Sequence, residues 1–299
     1  MSTSGRKKIL ITGASGQLGG ALVTELRQRH EVLTPAHGEL DITRRESVKD
    51  ALESIHPDVL INAVGYNDVD GAEAESLRAL EVNAFAVRWL SKAAALVDAT
   101  FVHYGSDFVF DGRANHPYSE EDEPEPKSVY GASKLLGEWF ARRVKKHYVL
   151  RVESLFGGER RKSTIDRIVE ALEEGRRVRA FADRIVSPSY VPDIVAATVF
   201  LVEKEARYGL YHCVSSGHAP WLELAQEAAR LLDVSGKVDP VSVDDVPLKA
   251  ARPRYAALAN GKLAAEGFLM PHWRDALRRY VASRESSREM KAVKANALL

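Results

Sequence analysis

The strongest constraint on this chain lies in its opening segment. Lys8–Thr12 is a short apolar run that passes directly into Gly13-Ala14-Ser15-Gly16-Gln17-Leu18-Gly19, and an amphipathic stretch follows through Arg29. A strand, a glycine-spaced turn and a helix in that order are the setting a dinucleotide fingerprint requires. Gly13 permits the tight turn, Gly16 lets backbone approach a pyrophosphate, and Gly19 lets helix pack on strand. The helix amino terminus presents free N–H groups and the positive end of its dipole to phosphates. Gly13, Ser15, Gly16, Gln17, Leu18 and Gly19 are therefore the first candidate cofactor-binding residues.

The pattern then alternates. Glu31–Thr34 reads as a second strand, followed by Thr34-Pro35-Ala36-His37-Gly38, with no carboxylate until Glu39 and Asp41. NAD-selective sites place an acid near that strand end to grip the ribose 2′-hydroxyl. Its absence leaves a 2′-phosphate unrepelled, so NADPH is the expected cofactor, with NADH possible. Asp41 and Ile42 are candidates for the adenine end, and the competing reading of Asp41 is a helix N-cap. A helix is expected over 44–55. The apolar run Asp58–Asn62 has the character of a buried parallel strand and ends in Ala63-Val64-Gly65, small residues at the carboxyl edge where open α/β sheets bind ligands. A long helix is expected over 72–97. A strand over 100–104 then carries Ser106 and Asp107 to the same edge, and another is expected over 148–152. This alternation predicts a Rossmann-type, doubly wound parallel sheet of α/β class.

After Phe156-Gly157-Gly158 the pattern changes. Helices are expected over 163–174, 191–203, 221–232 and 272–282, with a strand after Tyr208. The expected division is a dinucleotide-binding domain over 1–156, rejoined by 189–206. A smaller C-terminal α/β domain takes 157–188 and 207–283, and 284–299 form a tail.

The chemistry concentrates between His103 and Lys134. Ser128 can cap a helix bearing Tyr130 and Lys134, which four-residue spacing places on one face. A free phenol titrates near ~10 and transfers protons poorly at neutral pH. A nearby ammonium stabilises its phenolate. A Ser106 hydroxyl at a strand end can hold a carbonyl oxygen against that phenol. Tyr-x-x-x-Lys alone is a common chance pattern, and the surrounding chain gives it weight.

Formal net charge is zero over 299 residues, so no global field draws in nucleic acid or an anionic membrane. The single Cys213 forms no internal disulfide, which fits a reducing compartment. No signal-like or bilayer-length apolar run is present. The expectation is a cytoplasmic protein without nucleic-acid or membrane partners. A homodimer is compatible with the sequence. No metal site is expected, because no Cys/His cluster or carboxylate spacing singles one out.

From about Lys8 to Ala282 the chain resembles the dTDP-4-dehydrorhamnose reductase group of extended short-chain dehydrogenases/reductases. The resemblance rests on the Gly13–Gly19 turn, Glu39-Leu40-Asp41-Ile42, Val82-Asn83-Ala84, Ser106-Asp107-Phe108-Val109-Phe110-Asp111-Gly112, Val129-Tyr130-Gly131 with Ser133-Lys134-Leu135, Ser187-Pro188 and Arg252-Pro253-Arg254-Tyr255. It implies an NAD(P)H-dependent reductase of a 4-keto group on a nucleotide-activated deoxysugar. Ser106 would polarise the ketone, Tyr130 donate the proton, and Lys134 lower the tyrosine pKa and hold the nicotinamide ribose. Asn67, Val69, Ser106, Asp107, Ser154 and Arg184 would meet the substrate. Departures cluster there. Asn67 stands where the group usually has Thr, Gly71 where it has Lys, Ser154 where it has Trp, and Arg184 where it commonly has Gln. The resemblance also admits a sugar-nucleotide epimerase or dehydratase, although Phe108 follows Asp107 where dehydratases place Glu. A non-catalytic NADP-binding regulatory subunit, like that of methionine adenosyltransferase, is the reading from another class.

Overall fold

Residues of β1 (Lys8–Thr12) alternate between two apolar layers, as a strand buried on both faces requires. Ile9 and Ile11 face one layer with Leu18, Leu22 and Leu26 of α1 (Gln17–Leu26), whereas Leu10 faces the other. The computed structural model describes residues 5–160, 162–234 and 236–296, with side chains to residue 286. β2 (Glu31–Leu33), α2 (Arg45–Ile55) and β3 (Val59–Asn62) continue the winding.

The single helix expected over 72–97 is broken. α3 (Val69–Ala74) is capped by Asp68, whose carboxylate accepts from Gly71 N–H at 2.9 Å. At Glu75 the backbone leaves helical values, and the Tyr66 hydroxyl donates to its carboxylate at 2.7 Å. α4 (Ser76–Leu80) then runs into a π-turn over Glu81–Phe85 before α5 (Ala86–Leu96). Such one-turn bulges re-aim a side chain that a regular helix would place elsewhere. Here they bury Asn83.

β4 (Thr100–Ser106), α6 (Val129–Ala141) and β5 (His147–Val152) follow. β6 (Leu155–Phe156), α7 (Thr164–Glu173), β7 (Val178–Phe181), β8 (Ile185–Val186) and β9 (Ser189–Tyr190) lead to α8 (Val191–Lys204). β10 (Gly209–His212), β11 (Ala219–Pro220), α9 (Trp221–Leu231), β12 (Val238–Val241), α10 (Gly261–Ala265) and α11 (Trp273–Asn296) complete the chain.

The central sheet has the order β10-β5-β4-β3-β1-β2, with every pairing parallel. α1 and α8 cover one face; α2, α5 and α6 cover the other. This is the doubly wound α/β architecture. Residues 209–212, grouped by sequence with the second domain, form the sixth strand of this sheet. Leu210 and Tyr211 are buried in opposite layers, which is why they pair with β5. Cys213 is wholly buried in the same layer as α1 and α8, and burial pushes its thiol up to about 12.

A separate apolar cluster joins α7, α9 and α11 through Ile168, Leu172, Trp221, Leu224, Trp273 and Tyr280. Three two-stranded sheets border it: β6–β9 and β7–β12 parallel, β8–β11 antiparallel. Ser163 and Asp166 form a reciprocal capping box at the start of α7. α11 continues past residue 284 to Asn296, so the segment expected as a tail is helical that far. Residues 297–299 lie outside the described residues.

Candidate active site

The glycine turn is built by close backbone contact. Gly13 has φ +78°, and a Cβ there would lie 2.7 Å from the Ala63 carbonyl carbon. A Cβ on Gly19 would stand 2.1 Å from the Gly13 carbonyl oxygen, so only hydrogen lets α1 pack on the turn. Gly16, the N-cap of α1, has no side-chain cap, which leaves first-turn N–H groups available to an anion. Ser15 is exposed, and its carbonyl accepts from Arg160. The Gln17 side chain is turned away: its amide donates to the Gly157 carbonyl at 2.7 Å and to Asp166 at 3.2 Å. Leu18 belongs to the core. Gln17 and Leu18 therefore offer the turn backbone, while their side chains hold the fold.

Beyond β2, His37 is exposed and Glu39 accepts from Ala36 N–H at 2.7 Å. Asp41 accepts from the Thr43 N–H at 3.0 Å and its hydroxyl at 2.7 Å, and these bonds hold its carboxyl below the usual range. These bonds form a turn ahead of α2, whose N-cap is Arg44 with no side-chain cap, so the helix N-cap expected at Asp41 is not formed. Ile42 packs in the core with Leu40, Val48 and Leu52. Ala63, Val64 and Gly65 lie half-buried past the end of β3, and Ala63 N–H still bonds Thr12 at 3.0 Å.

β4 brings Ser106 to the sheet's carboxyl edge, beside the start of α6. The Ser106 hydroxyl donates to Asp107 at 3.0 Å and accepts from Phe108 N–H at 3.2 Å, and it neighbours the Tyr130 phenol. Ser128 caps α6 by accepting from Gly131 N–H at 3.1 Å, which sets the helix that carries Tyr130 and Lys134. Both are buried. Burial raises the phenol well above its ordinary value; the neighbouring Ser106 hydroxyl opposes this, and the Asp107 charge adds to it. Lys134 donates to the Tyr104 carbonyl at 2.6 Å, and burial pulls its ammonium down to about 8, against the pull of Glu138.

Asn83, brought in by the π-turn, accepts from Tyr66 N–H at 2.8 Å and donates to the Tyr66 carbonyl and the Ser133 hydroxyl, each at 3.0 Å. It thereby ties the loop after β3 to the helix of Tyr130. The sequence showed Asn83 only as part of a matched motif. Its structural task depends on the π-turn, which apolar periodicity does not reveal.

The outer wall mixes charge with aromatic surface. Arg184, equally readable from sequence as a surface residue, is only 9% exposed. Its guanidinium lies 5.6 Å from the Phe108 ring centroid, and that of Arg252 lies 5.7 Å away. Arg252 also pairs with Asp70 at 2.9 Å. Phe108 meets Tyr130 edge-on at 5.3 Å. Val69 packs in the same small cluster as Tyr130. Asn67 is exposed, with its side-chain oxygen close to Gly65. Ser154 is half-buried at φ +45°, a left-handed value uncommon outside glycine. Glu153, beside it, is buried against Ser187, whose N–H donates to its carboxylate at 2.6 Å. Glu153 and Arg252 were not singled out from sequence as site residues. Arg252 stands far along the chain, and Glu153 looks like an ordinary acid after a strand.

A family model described as the RmlD substrate binding domain matches residues 7–286. The chain is 30% identical over 281 residues to the spore coat polysaccharide biosynthesis protein SpsK of Bacillus subtilis, covering 94% of this chain and 99% of that protein. It is 32% identical over 288 residues to a dTDP-4-dehydrorhamnose reductase of Burkholderia thailandensis, covering 90% and 96%. The crystal structure of dTDP-4-dehydrorhamnose reductase from Bacillus anthracis in complex with NADP superposes with a TM-score of 0.88 at 31% identity, covering 93% of this chain and 99% of that one. With similarity running along nearly its entire length, the chain belongs to the RmlD substrate binding domain family.

Proposed function

We propose that this protein is an NADPH-using reductase of a 4-keto group on a nucleotide-activated deoxysugar. The observation that carries this reading is that Ser106 at the end of β4 and Tyr130 on α6 are neighbours and both buried, with Lys134 buried one turn along α6. The glycine turn fits a dinucleotide: it is tight, and α1 begins without a side-chain cap. The backbone of Gly13, Ser15, Gly16, Gln17, Leu18 and Gly19 would hold the diphosphate, and Asp41 and Ile42 the adenine end. Ala63, Val64 and Gly65 would line the middle, with Tyr130 and Lys134 at the nicotinamide ribose. NADPH supplies the hydride when bound. Ser106 holds the ketone oxygen, Tyr130 gives it a proton, and Lys134 presents a cation that favours the resulting phenolate. Asn67, Val69, Asp107, Ser154 and Arg184 border the sugar end. The sheet domain binds cofactor and the α7–α9–α11 lobe covers the nucleotide sugar, in a cytoplasmic enzyme compatible with a homodimer.

Mixing the protein with NADPH and a panel of dTDP-4-keto-6-deoxy sugars tests this. At least one sugar should oxidise NADPH, and Tyr130→Phe should lower kcat about a hundredfold or more. Cofactor consumption with none of them, and no effect of Tyr130→Phe, would leave a binding protein. NADPH should bind more tightly than NADH. NADH tighter by tenfold, about 1.4 kcal/mol, would refute that preference.

A further inference from the structure

Arg184 stands between β7 and β8 and is only 9% exposed. Among the described residues its side chain makes one hydrogen bond, from Nε to the Pro253 carbonyl at 3.3 Å. No carboxylate oxygen of a described residue comes within 4.0 Å of its guanidinium. The acids whose charge reaches it are Asp107 and Glu153, and both are held elsewhere. Asp107 Oδ1 accepts from the Ser106 hydroxyl at 3.0 Å, and Glu153 Oε2 accepts from Ser187 N–H at 2.6 Å. The second oxygen of each is buried with no hydrogen-bond partner, so neither acid closes on the arginine. The two Nη groups of Arg184 also make no hydrogen bond, yet they are not sealed from solvent.

Arg252 is different. Its Nη2 pairs with Asp70 at 2.9 Å and its Nη1 donates to the Ala250 carbonyl at 3.2 Å, so its charge is met within the fold. A buried arginine is normally paired, because taking a cation out of water costs more than one weak bond returns. A guanidinium that is buried, unpaired and open at its fork suits an anion brought from outside. Its planar fork can give two parallel bonds to phosphate oxygens.

The position fits one anion. The Phe108 ring lies 5.3 Å from the Tyr130 ring and 5.6 Å from the Arg184 guanidinium, centroid distances that put the cation one aromatic ring beyond the phenol. In a 4-keto pyranose held with its ketone at Tyr130, the anomeric carbon is across the sugar ring, and the diphosphate begins there. Arg252, 5.7 Å from the same Phe108 ring, adds positive potential to that wall.

We propose that Arg184 binds the diphosphate of the nucleotide-activated sugar, with Phe108 as the spacer that sets its distance from Tyr130. The inference rests on the reductase reading for where the sugar lies; the anion site stands on the unpaired guanidinium. A phosphate on Arg184 meets the buried charge and holds C4 of the sugar at the phenol, so binding away from the ketone orients it. Arg184 touches substrate but no reacting atom.

The test is calorimetric titration of the NADP-loaded protein with dTDP and UDP, and with thymidine and uridine. Wild type should bind at least one diphosphate about tenfold or more tighter than its nucleoside. Arg184→Gln should erase that preference without weakening nucleoside binding. Arg184→Lys should recover part of it, because the charge returns without the fork. Since the cation is unpaired in the free protein, Arg184→Gln should keep its urea midpoint, and the diphosphate should raise the midpoint of wild type alone. With a sugar that is turned over, Arg184→Gln should raise KM about tenfold or more, with a smaller effect on kcat. Equal affinity for diphosphate and nucleoside in wild type, or a preference that survives Arg184→Gln, overturns the anion site. A lowered urea midpoint in Arg184→Gln marks a structural cation and overturns it as well, as does a loss confined to kcat. A diphosphate preference that depends on Arg184, in a protein that reduces no sugar, keeps the anion site and removes only the reductase reading.

Discussion

Lys134 Nζ donates to the Tyr104 carbonyl at 2.6 Å, so the buried ammonium on α6 is anchored to the strand that ends in Ser106. Its folded pKa of about 8 lies below the free value of 10.5. Between those two values the unfolded chain binds the extra proton, so stability rises with pH across that window; below it, the buried charge costs stability. Urea midpoints of wild type and Lys134→Met should therefore converge or cross in the wild type's favour from pH 7.5 to pH 10. A constant difference would show that the lysine is not depressed. Activity should decline as pH rises through about 8, because the cation is lost.

Arg151 on β5 bonds Glu138 on α6 through Nε at 3.2 and 3.1 Å and through Nη2 at 2.8 Å, with both side chains almost wholly buried. Removing one partner leaves an uncompensated buried charge. Glu138→Ala should lower unfolding free energy by about 3–5 kcal/mol. It also withdraws the carboxylate that raises Lys134, so the alkaline loss of activity should begin at lower pH. Chemical denaturation and a pH–rate profile read the two effects separately.

Gly19→Ala drives a methyl into the Gly13 carbonyl, backbone that has no alternative place to go. The expected cost is about 1–3 kcal/mol in denaturant, with NADPH binding lost alongside. At Gly16 the added methyl would lie 3.2 Å from the same oxygen, a tight contact that a small shift relieves. Gly16→Ala should fold nearly as well yet bind NADPH more weakly in a fluorescence titration. Equal NADPH affinity in Gly16→Ala and wild type would count against phosphate contact at this turn.

Asn83→Ala removes the acceptor for Tyr66 N–H and the donor to Ser133. An orphaned buried N–H costs about 1–3 kcal/mol. Because the same side chain holds the loop after β3 to the helix of Tyr130, kcat should fall with it. Full activity in a destabilised Asn83→Ala protein would confine the residue to folding.

Local pattern alone determined the parallel α/β winding. Strands buried on both faces read as short apolar runs, the glycine turn sits directly between β1 and α1, and four-residue spacing places Tyr130 with Lys134. These features are legible because they depend on backbone period and on neighbours within a turn or two. The interrupted helix between 69 and 96 was not legible, since its apolar period continues through the breaks at Glu75 and the π-turn that buries Asn83. Nor was the membership of β10 in the central sheet, which is decided by pairing with β5. Only tertiary structure buried Arg184 and set Glu153 near Asp107 across adjacent strands. Ionisable residues carry no periodic signal, and their protonation follows from burial and from partners that the folded chain alone brings together.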